Sequence, residues 1–303
     1  MMQPVQFDPA HAVVWDNRPC PQRIGLALGG GASRGLAHIG VLEVLEENGV
    51  PVDCIAGASA GALVGGLYAA GITATRLRQL GYGLKWRDIS KFTLPAVNLA
   101  SLNWGSLNPA IEFPLGLLDL DPLADWIDQV LGMSIRFDQL NIPFAAVATD
   151  ITTSEMVVMN KGEIAKAIRA SCSVPGVFTP CRRNGRLLVD GGAVNNLPVS
   201  VVRQMGADYV ISVDLIGTEG IVQREPQNLI ELSMTALYAL IRASQSEAPM
   251  ANRNIAPVIA HISLADMGSR EELLAAGRAA AEAMIPEILS DLGRRSDPTV
   301  LPD

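Results

Sequence analysis

The feature that most constrains the fold is a pattern near the start of the chain that occurs twice: a short apolar run, a turn rich in glycine, and a segment with helical spacing. The first run is Ile24–Leu28, which stops at three consecutive glycines, 29–31, before the helical spacing of residues 36–48. The second run, residues 52–56, leads to a helix of small residues at 59–70. A short apolar run that ends in a turn signal is typical of a buried strand. Strands and helices in alternation predict a parallel sheet covered by helices.

The same alternation returns after a different stretch at residues 85–140. Aromatic side chains are spread there among Pro, Asn and Leu, and we interpret it as an insertion over the end of the sheet, either a substrate cover or an ordinary surface subdomain. Further strands are expected at 144–149, 156–159, 186–189 and Tyr209–Val213, and helices at Ile164–Ser171, 228–243 and 270–292. The predicted organisation is an irregular extension at 1–23, an α/β domain at 24–216, and C-terminal helices at 217–303 that pack on the same domain.

Composition limits the classes of function. Of the 303 residues 49% are hydrophobic and the net charge is −8, so the chain can bury a core and lacks the basic face that a nucleic-acid partner requires. No Cys or His spacing is typical of a metal site, and the four cysteines are expected as buried free thiols. Residues 1–23 lack the order of a signal peptide, so a cytoplasmic protein is expected. The uncharged stretch 55–72 meets the length of a membrane span, but its Gly and Ala content favours a buried central helix.

Two segments match the nucleophile elbow G-x-S-x-G, in which a strained turn between strand and helix projects a serine beside a helix N-terminus. One contains Ser59 between Gly57 and Gly61; the other spans residues 31–35 and contains Ser33. Glycines are expected at these positions because neighbouring strands crowd the turn. Both segments lie between an expected strand and an expected helix, so the pattern alone does not separate the two serines.

The consecutive glycines Gly29, Gly30 and Gly31 favour Ser59 as the nucleophile. Glycine tolerates unusual backbone dihedrals, so these amides can turn toward a ligand, as an oxyanion hole or a phosphate cradle requires. A dinucleotide fingerprint would need Gly or Ala at the position of Arg34, and the Lys-[Ser/Thr] ending of a P-loop is missing. We therefore interpret the three glycines as an oxyanion loop, with a structural turn and a nucleotide or anion site as alternatives.

A serine nucleophile needs a base, and the sequence offers two arrangements. Asp190 follows an expected strand, and Gly191 and Gly192 after it allow a close approach to another backbone, although Asp-Gly is also a common turn signal. Of the three histidines, His261 alone fits the order Ser…Asp…His of one triad type; one lies in the N-terminal extension, and His38 is expected to be a packed or capping residue. A dyad with Asp190 alone and a triad that adds His261 both remain open.

In their order along the chain these segments resemble the patatin-like phospholipases, in particular the bacterial branch related to neuropathy target esterase. The glycine loop, the G-x-S-x-G motif and the D-G-G motif carry the resemblance, together with further segments at residues 34–42, 148–150, 167–171, 174–178 and 195–198. It covers residues 24–216, with a looser tail to about 290. Ser154 stands in a turn where these proteins often have Gly, and residues 85–115 match poorly.

The resemblance implies a three-layer α/β fold and hydrolysis of fatty-acyl esters in phospholipids, lysophospholipids or neutral lipids. It implies Ser59 as the nucleophile, Asp190 as its base, and the amides of residues 29–31 as oxyanion donors with Arg34 close by. No histidine, metal or cofactor is then needed. A lipid substrate and a peripheral contact with a membrane are expected, and a catalytically idle lipid-binding module is the alternative from another class.

Overall fold

In the computed structural model the chain forms an eight-stranded sheet with helices on both faces. The structure describes residues 23–93, 115–216, 225–227, 229–244 and 247–293. The first elements are β1 (Ile24–Leu28), α1 (Leu36–Glu47), β2 (Cys54–Ala58), α2 (Ala60–Ala69), α3 (Ala74–Gly83), α4 (Trp86–Ile89), β3 (Lys91–Phe92), β4 (Gly116–Asp119) and α5 (Asp121–Leu131). The remaining elements are β5 (Phe144–Asp150), β6 (Glu155–Met159), α6 (Ile164–Ser171), β7 (Gly176–Phe178), β8 (Cys181–Arg183), β9 (Arg186–Asp190), α7 (Val199–Gln204), β10 (Tyr209–Val213), α8 (Leu229–Ser244), β11 (Arg253–Ile255) and α9 (Arg270–Asp291). The predicted extension to residue 22 and residues 94–114 of the predicted insertion lie outside these ranges.

The order of the strands brings the chemically important segments to one edge. The sheet runs β11-β10-β1-β2-β5-β9-β8, with β6 also paired to β5. Neighbours from β11 to β5 are parallel, whereas β6, β8 and β9 run antiparallel to their partners. The carboxyl ends of parallel strands meet at the same edge, where ligands of α/β sheets bind. Asp190, the last residue of β9, pairs with Ala148 of β5. Val147, the residue before Ala148, pairs with Ala58 at the end of β2.

The two faces of the sheet carry side chains of different size. On β1, Leu26 and Leu28 pack into the larger core with α1, α2 and α9, whereas Ala27 faces the smaller core with α7. Successive strand side chains point to opposite faces, so this alternation separates the layers. A β-carbon on Gly25 would lie 2.0 Å from Val202 Cγ1, so α7 packs directly against the backbone of β1. The three-layer α/β fold predicted from the sequence is confirmed.

Helix α1 is enclosed by α9 as well as by the sheet. A β-carbon on Gly40 would lie 2.2 Å from the Leu274 carbonyl oxygen, and one on Gly277 would lie 2.0 Å from the Ala37 carbonyl oxygen. Any side chain at these crossing points would therefore force the helices apart. The C-terminal helix is thus packed on the same core as the glycine loop that precedes α1.

Most elements agree with the sequence predictions in type, with two differences. Strand β2 begins two residues later than predicted and extends through Ala58. The apolar run 258–262 around His261 has the composition of a strand, but that part of the chain forms turns, and the strand lies at Arg253–Ile255. The uncharged stretch 55–72 is β2 followed by the ten-residue α2. Within the described ranges no helix is long and apolar enough to cross a bilayer.

Candidate active site

Ser59 lies in a tight turn between β2 and α2. Its backbone has φ 51° and ψ −122°, a left-handed conformation that is strained for a residue with a side chain and is typical of functional positions. A β-carbon on Gly57 would lie 2.4 Å from the Gly61 carbonyl oxygen, and one on Gly61 would lie 2.1 Å from the Leu28 carbonyl oxygen. Both positions thus require glycine because the backbones are in contact, as the elbow pattern predicts.

A second serine fixes the backbone of this turn. The Ser59 N–H donates to Ser171 Oγ at 2.9 Å, and the Ser171 hydroxyl donates to the Val147 carbonyl oxygen at 2.6 Å. Ser171 is completely buried. The strained turn is therefore bonded through Ser171 to the central strand β5, which holds Ser59 in place.

Asp190 reaches the same place from the end of β9 and is only 2% exposed. Its Oδ1 accepts the Gly192 N–H at 2.8 Å, and its carbonyl oxygen accepts the hydroxyl of Thr149 at 2.9 Å. A β-carbon on Gly191 would lie 2.2 Å from a carbonyl oxygen of β5. Gly191 therefore allows the close backbone approach that the sequence predicts, whereas Gly192 makes room for side chains.

Burial makes the Asp190 carboxyl a stronger base than a carboxyl in water. Loss of solvent raises the pKa of Asp190 to about 6, while the Ser59 hydroxyl and the Gly192 amide act in the opposite direction. Asp190 Oδ2 has no hydrogen bond of good geometry within the described part of the chain. The Ser59 hydroxyl thus lies close enough to Asp190 to lower the pKa of its carboxyl, although no hydrogen bond of good geometry joins the two side chains.

The glycine loop lies beside Ser59, but its geometry differs from the prediction in two respects. Gly29 and Gly30 donate their amides to main-chain carbonyls of other segments at 3.0 and 3.1 Å, so these two predicted oxyanion donors are already used. Gly31 has φ 178°, and neither Gly29 nor Gly30 has a positive φ, so a left-handed backbone is not the reason for these glycines. Within the described chain, the amides of Gly31 and Ala60 meet no protein acceptor. These two N–H groups are available to an oxyanion.

Close packing explains the glycine at position 30, and Gly30→Ala tests it. A β-carbon there would lie 2.5 Å from Asn196 Oδ1 and 3.1 Å from Ser59 Cβ. We expect kcat for ester hydrolysis to fall at least about tenfold with a smaller change in KM, because the nucleophile is displaced. Gly83→Ala is the matched control, since a β-carbon there meets nothing within 4 Å. A folded Gly30→Ala protein with the parental kcat would contradict this role for the loop.

The loop is held from its far side by the turn at residues 260–264. The Ser33 hydroxyl donates to the Leu264 carbonyl oxygen at 2.8 Å. The Arg34 guanidinium donates to the Ile262 carbonyl oxygen at 2.6 and 2.8 Å and to the Ala260 carbonyl oxygen at 3.0 Å. Burial lowers the pKa of Arg34. Ser33 and Arg34 therefore support the loop from behind, and Arg34 lies next to Gly31 without lining the cavity beside Ser59.

The two described histidines have different surroundings. His38 is fully buried with Nε2 at 2.7 Å from the Gly29 carbonyl oxygen, and burial lowers its pKa to about 4. The ring is therefore neutral at pH 7, and Nε2–H donates to Gly29, in agreement with the predicted packing role. His261 is exposed and pairs with Glu272 at 2.7 Å, not with Asp190. This pairing gives the triad arrangement no support.

Ser59 opens onto an apolar cavity between α1, α2, α3 and α5. The cavity has about 930 Å³ of empty space, its open mouth included. Its walls are mostly aliphatic, and the residues of the predicted insertion that line it are Trp86, Ile89, Leu120, Leu123 and Trp126. Cys172 lies in the same wall, where burial, aided by the Asp190 charge, raises the pKa of its thiol. The cavity suits a hydrocarbon chain attached to the group that reacts at Ser59.

Three buried polar residues of the site lie in segments that carry the family resemblance, but the sequence analysis assigns no role to them. Ser171 holds the elbow, Thr149 holds the main chain of Asp190, and Asn196 lies between the glycine loop and Asp190. Each is a polar residue within or beside an apolar run, which is the signal that could have indicated its role. The described residues contain no group of three His, Cys, Asp or Glu side chains that could hold a metal ion.

Two curated proteins and one solved structure match parts of this chain. An NTE family protein of Mycobacterium bovis is 36% identical over 214 residues, which are 70% of this chain and 54% of that protein. Lysophospholipase NTE1 of Cryptococcus neoformans is 38% identical over 204 residues, 65% of this chain and 11% of the relative. The chain thus spans about half the length of the first relative and a much smaller part of the second. The crystal structure of VipD from Legionella pneumophila aligns with a TM-score of 0.48 and 14% identity, covering 88% of this chain and 67% of that one.

The family assignment comes from a match over more than half of the chain. The family model described as patatin-like phospholipase matches residues 26–203. This range is more than half of the chain and contains the glycine loop, Ser59 and Asp190. The chain belongs to the patatin-like phospholipase family.

Proposed function

We propose that this protein hydrolyses fatty-acyl esters of phospholipids, lysophospholipids or neutral lipids through an acyl-Ser59 intermediate, with Asp190 as the base. The observation that carries the proposal is the position of Ser59, a strained serine beside a buried carboxyl, at the wall of a large apolar cavity. The names of its relatives, which include a lysophospholipase, support a lipid substrate.

The cycle has two halves. Asp190 accepts the hydroxyl proton as Ser59 Oγ bonds to the ester carbonyl carbon, and the amides of Gly31 and Ala60 stabilise the oxyanion. The alcohol then leaves with the proton from Asp190, and the acyl group remains on Ser59. Water next attacks the acyl carbon and gives a proton to Asp190, which releases the fatty acid and restores the Ser59 hydroxyl.

A series of p-nitrophenyl esters with acyl chains from acetyl to palmitoyl tests the role of the cavity. Each buried methylene contributes about 0.8 kcal/mol, which is roughly fourfold in binding. We expect kcat/KM to rise steeply over the first several carbons, and fatty acid released from lysophosphatidylcholine to be detected by mass spectrometry. A preference for the acetyl ester would contradict an acyl-chain cavity.

Leu63→Trp gives the matched structural test. Leu63 lines the cavity one helical turn after Ser59, so the larger ring is expected to reduce kcat/KM for the palmitoyl ester at least about tenfold more than for the acetyl ester. Leu240→Trp is the control, because Leu240 is 67% exposed and does not line the cavity. Equal losses for short and long esters in Leu63→Trp would show that the cavity does not bind the acyl chain.

A further inference from the structure

Asn196 carries a polar side chain that the cycle above does not use. It lies in the turn between Asp190 and α7 and is 8% exposed. Its main-chain carbonyl accepts the Gly30 N–H at 3.1 Å, which fixes its position against the glycine loop. Its Oδ1 is buried without a hydrogen-bond partner in the described part of the chain. A buried acceptor without a hydrogen bond destabilises the folded protein, so its presence in the site needs an explanation.

The neighbouring glycines show where this oxygen lies. A β-carbon on Gly30 would be 2.5 Å from Asn196 Oδ1 and 3.1 Å from Ser59 Cβ. A β-carbon on Gly192 would be 2.8 Å from Asn196 Oδ1 and 3.0 Å from Asp190 Oδ1. The Asn196 oxygen therefore lies no more than about 6 Å from both Ser59 Cβ and the Asp190 carboxylate. The lack of side chains at positions 30 and 192 keeps the space between these groups open.

The other end of the amide determines its orientation. Asn196 Nδ2 lies 3.5 Å from the Gly30 carbonyl oxygen. Exchange of the nitrogen and the oxygen would place two carbonyl oxygens against each other, so the hydrogen-bond network assigns the nitrogen to Gly30. Asn196 thus presents an acceptor, and not a donor, to the reacting pair.

We propose that Asn196 is a further catalytic residue, which holds the hydrolytic water together with Asp190 in the second half of the cycle. The inference rests on the acyl-Ser59 intermediate of the proposed function. One water at hydrogen-bond distance, about 2.8 Å, from each oxygen spans the separation between Asn196 and Asp190. With both O–H groups donated, the lone pair of the water is directed at the acyl carbon, which orients the attack.

The step balances without any other reactant. The water oxygen bonds to the acyl carbon while one of its protons moves to Asp190. The bond from the carbon to Ser59 Oγ then breaks, and Asp190 returns the proton to Ser59. The second O–H of the water stays bonded to Asn196 until the fatty acid leaves.

The first half of the cycle gives Asn196 no such task. There the nucleophile is the Ser59 hydroxyl, whose single proton goes to Asp190, so no second O–H is present for the Asn196 oxygen. Loss of the Asn196 side chain is therefore expected to slow the removal of the acyl group and to leave its transfer to Ser59 nearly unchanged. This asymmetry separates a catalytic role from a general loss of structure.

Rapid mixing with p-nitrophenyl butyrate measures the two halves separately. Release of p-nitrophenol reports acylation, the steady rate reports deacylation, and mass spectrometry of the intact protein counts acyl-Ser59. For Asn196→Ala we expect acylation within about threefold of the parent, a steady rate at least about tenfold lower, and acyl-Ser59 as the main form of the protein. Equal slowing of both halves, without accumulation of acyl-Ser59, overturns the proposal.

Two further variants keep the test independent of folding defects. Asn195→Ala removes the neighbouring amide, which donates to Glu247 Oε1 at 3.0 Å, and is expected to accumulate no acyl-Ser59 even if its Tm falls. Asn196→Asp keeps an acceptor of the same size but adds a charge that raises the pKa of Asp190. At pH 9, where both carboxyls are ionised, its deacylation is expected to recover to within about fivefold of the parent; failure to recover overturns the acceptor role.

The same measurements identify a failure of the proposed function itself. A parent enzyme that hydrolyses the ester while neither it nor any variant forms acyl-Ser59 would overturn the acyl-enzyme cycle, and the role of Asn196 with it. A parent that forms acyl-Ser59, beside an Asn196→Ala protein that does not accumulate it, overturns the role of Asn196 alone.

Discussion

Replacement of Ser59 by alanine is expected to lower ester hydrolysis by more than about 10³-fold and to leave the fold intact. A serine nucleophile has no substitute in this site, and loss of a nucleophile costs several orders of magnitude in kcat. The fold is expected to survive because the Ser59 hydroxyl is not required by the core: the hydrogen bonds that fix the elbow come from its backbone. Turnover of a p-nitrophenyl ester and thermal melting by circular dichroism measure the two effects. A phosphonate ester that labels the parent should label no residue in Ser59→Ala.

Ser33→Ala is the matched control, because the two serines lie in identical sequence patterns. The Ser33 hydroxyl donates to carbonyls of residues 263 and 264, so its loss weakens a support of the loop without removing a reacting atom. We expect a measurable fraction of the activity and full phosphonate labelling. An inactive Ser33→Ala protein beside an active Ser59→Ala protein would show that the other elbow carries the nucleophile. Full activity of both variants would show that neither serine is the nucleophile.

Asp190→Asn is expected to abolish turnover while making the protein more stable at alkaline pH. The amide keeps the acceptor that binds the Gly192 N–H but cannot take a proton, so both halves of the cycle stop. The pKa of this carboxyl rises from 3.8 to about 6 on folding, so folding favours its protonated form. The free energy of unfolding of the parent therefore falls as pH rises from 3.8 to about 6. Above this range the parent is destabilised by up to about 3 kcal/mol by the ionised Asp190, and the substitution removes this destabilisation. Urea unfolding at pH 8 and pH 4.5 measures this, with a clear gain only at pH 8.

The same pKa predicts the pH dependence of the parent enzyme. A base must be ionised to accept a proton, so kcat/KM is expected to fall as pH drops through about 6. A decline of kcat/KM that occurs only near pH 4 would indicate an ordinary exposed carboxyl and would contradict a buried base.

His261→Ala tests the triad arrangement against the dyad, since this exposed ring pairs with Glu272 and not with Asp190. We expect its activity within about tenfold of the parent, whereas loss of a triad histidine costs roughly a thousandfold or more.

The sequence predicts the sheet and the elbow well because they depend on local patterns. Apolar runs of five residues can be recognised as buried strands, and a serine between two glycines after such a run predicts a strained turn. The short helix α7 and the strands β7, β8 and β11 escape prediction, because three to six residues carry too little periodicity. The run around His261 has strand composition, but its main-chain carbonyls are needed as acceptors for Arg34, and it therefore forms turns.

The details of the site depend on contacts between distant segments. Gly30 is required because Asn196, which follows 166 residues later, occupies the space that a side chain would take. Ser171 holds the elbow across 112 residues. Motif spacing contains no information about either contact, since each arises only when β1, β2, β5 and β9 lie side by side. The sequence therefore indicates where the candidate site lies but gives the wrong reason for the glycine at position 30.

The support of the glycine loop by residues 260–264 has a consequence for how the protein is made. Ser33 donates to a carbonyl that is synthesised 231 residues later. Because a ribosome produces the N-terminal part first, a growing chain contains Ser59 and Asp190 well before it contains this support. The reacting groups thus precede, in time, the segment that sets the geometry of the loop beside them. A growing chain would carry Ser59 and Asp190 without this support, and synthesis of residues 260–264 supplies it.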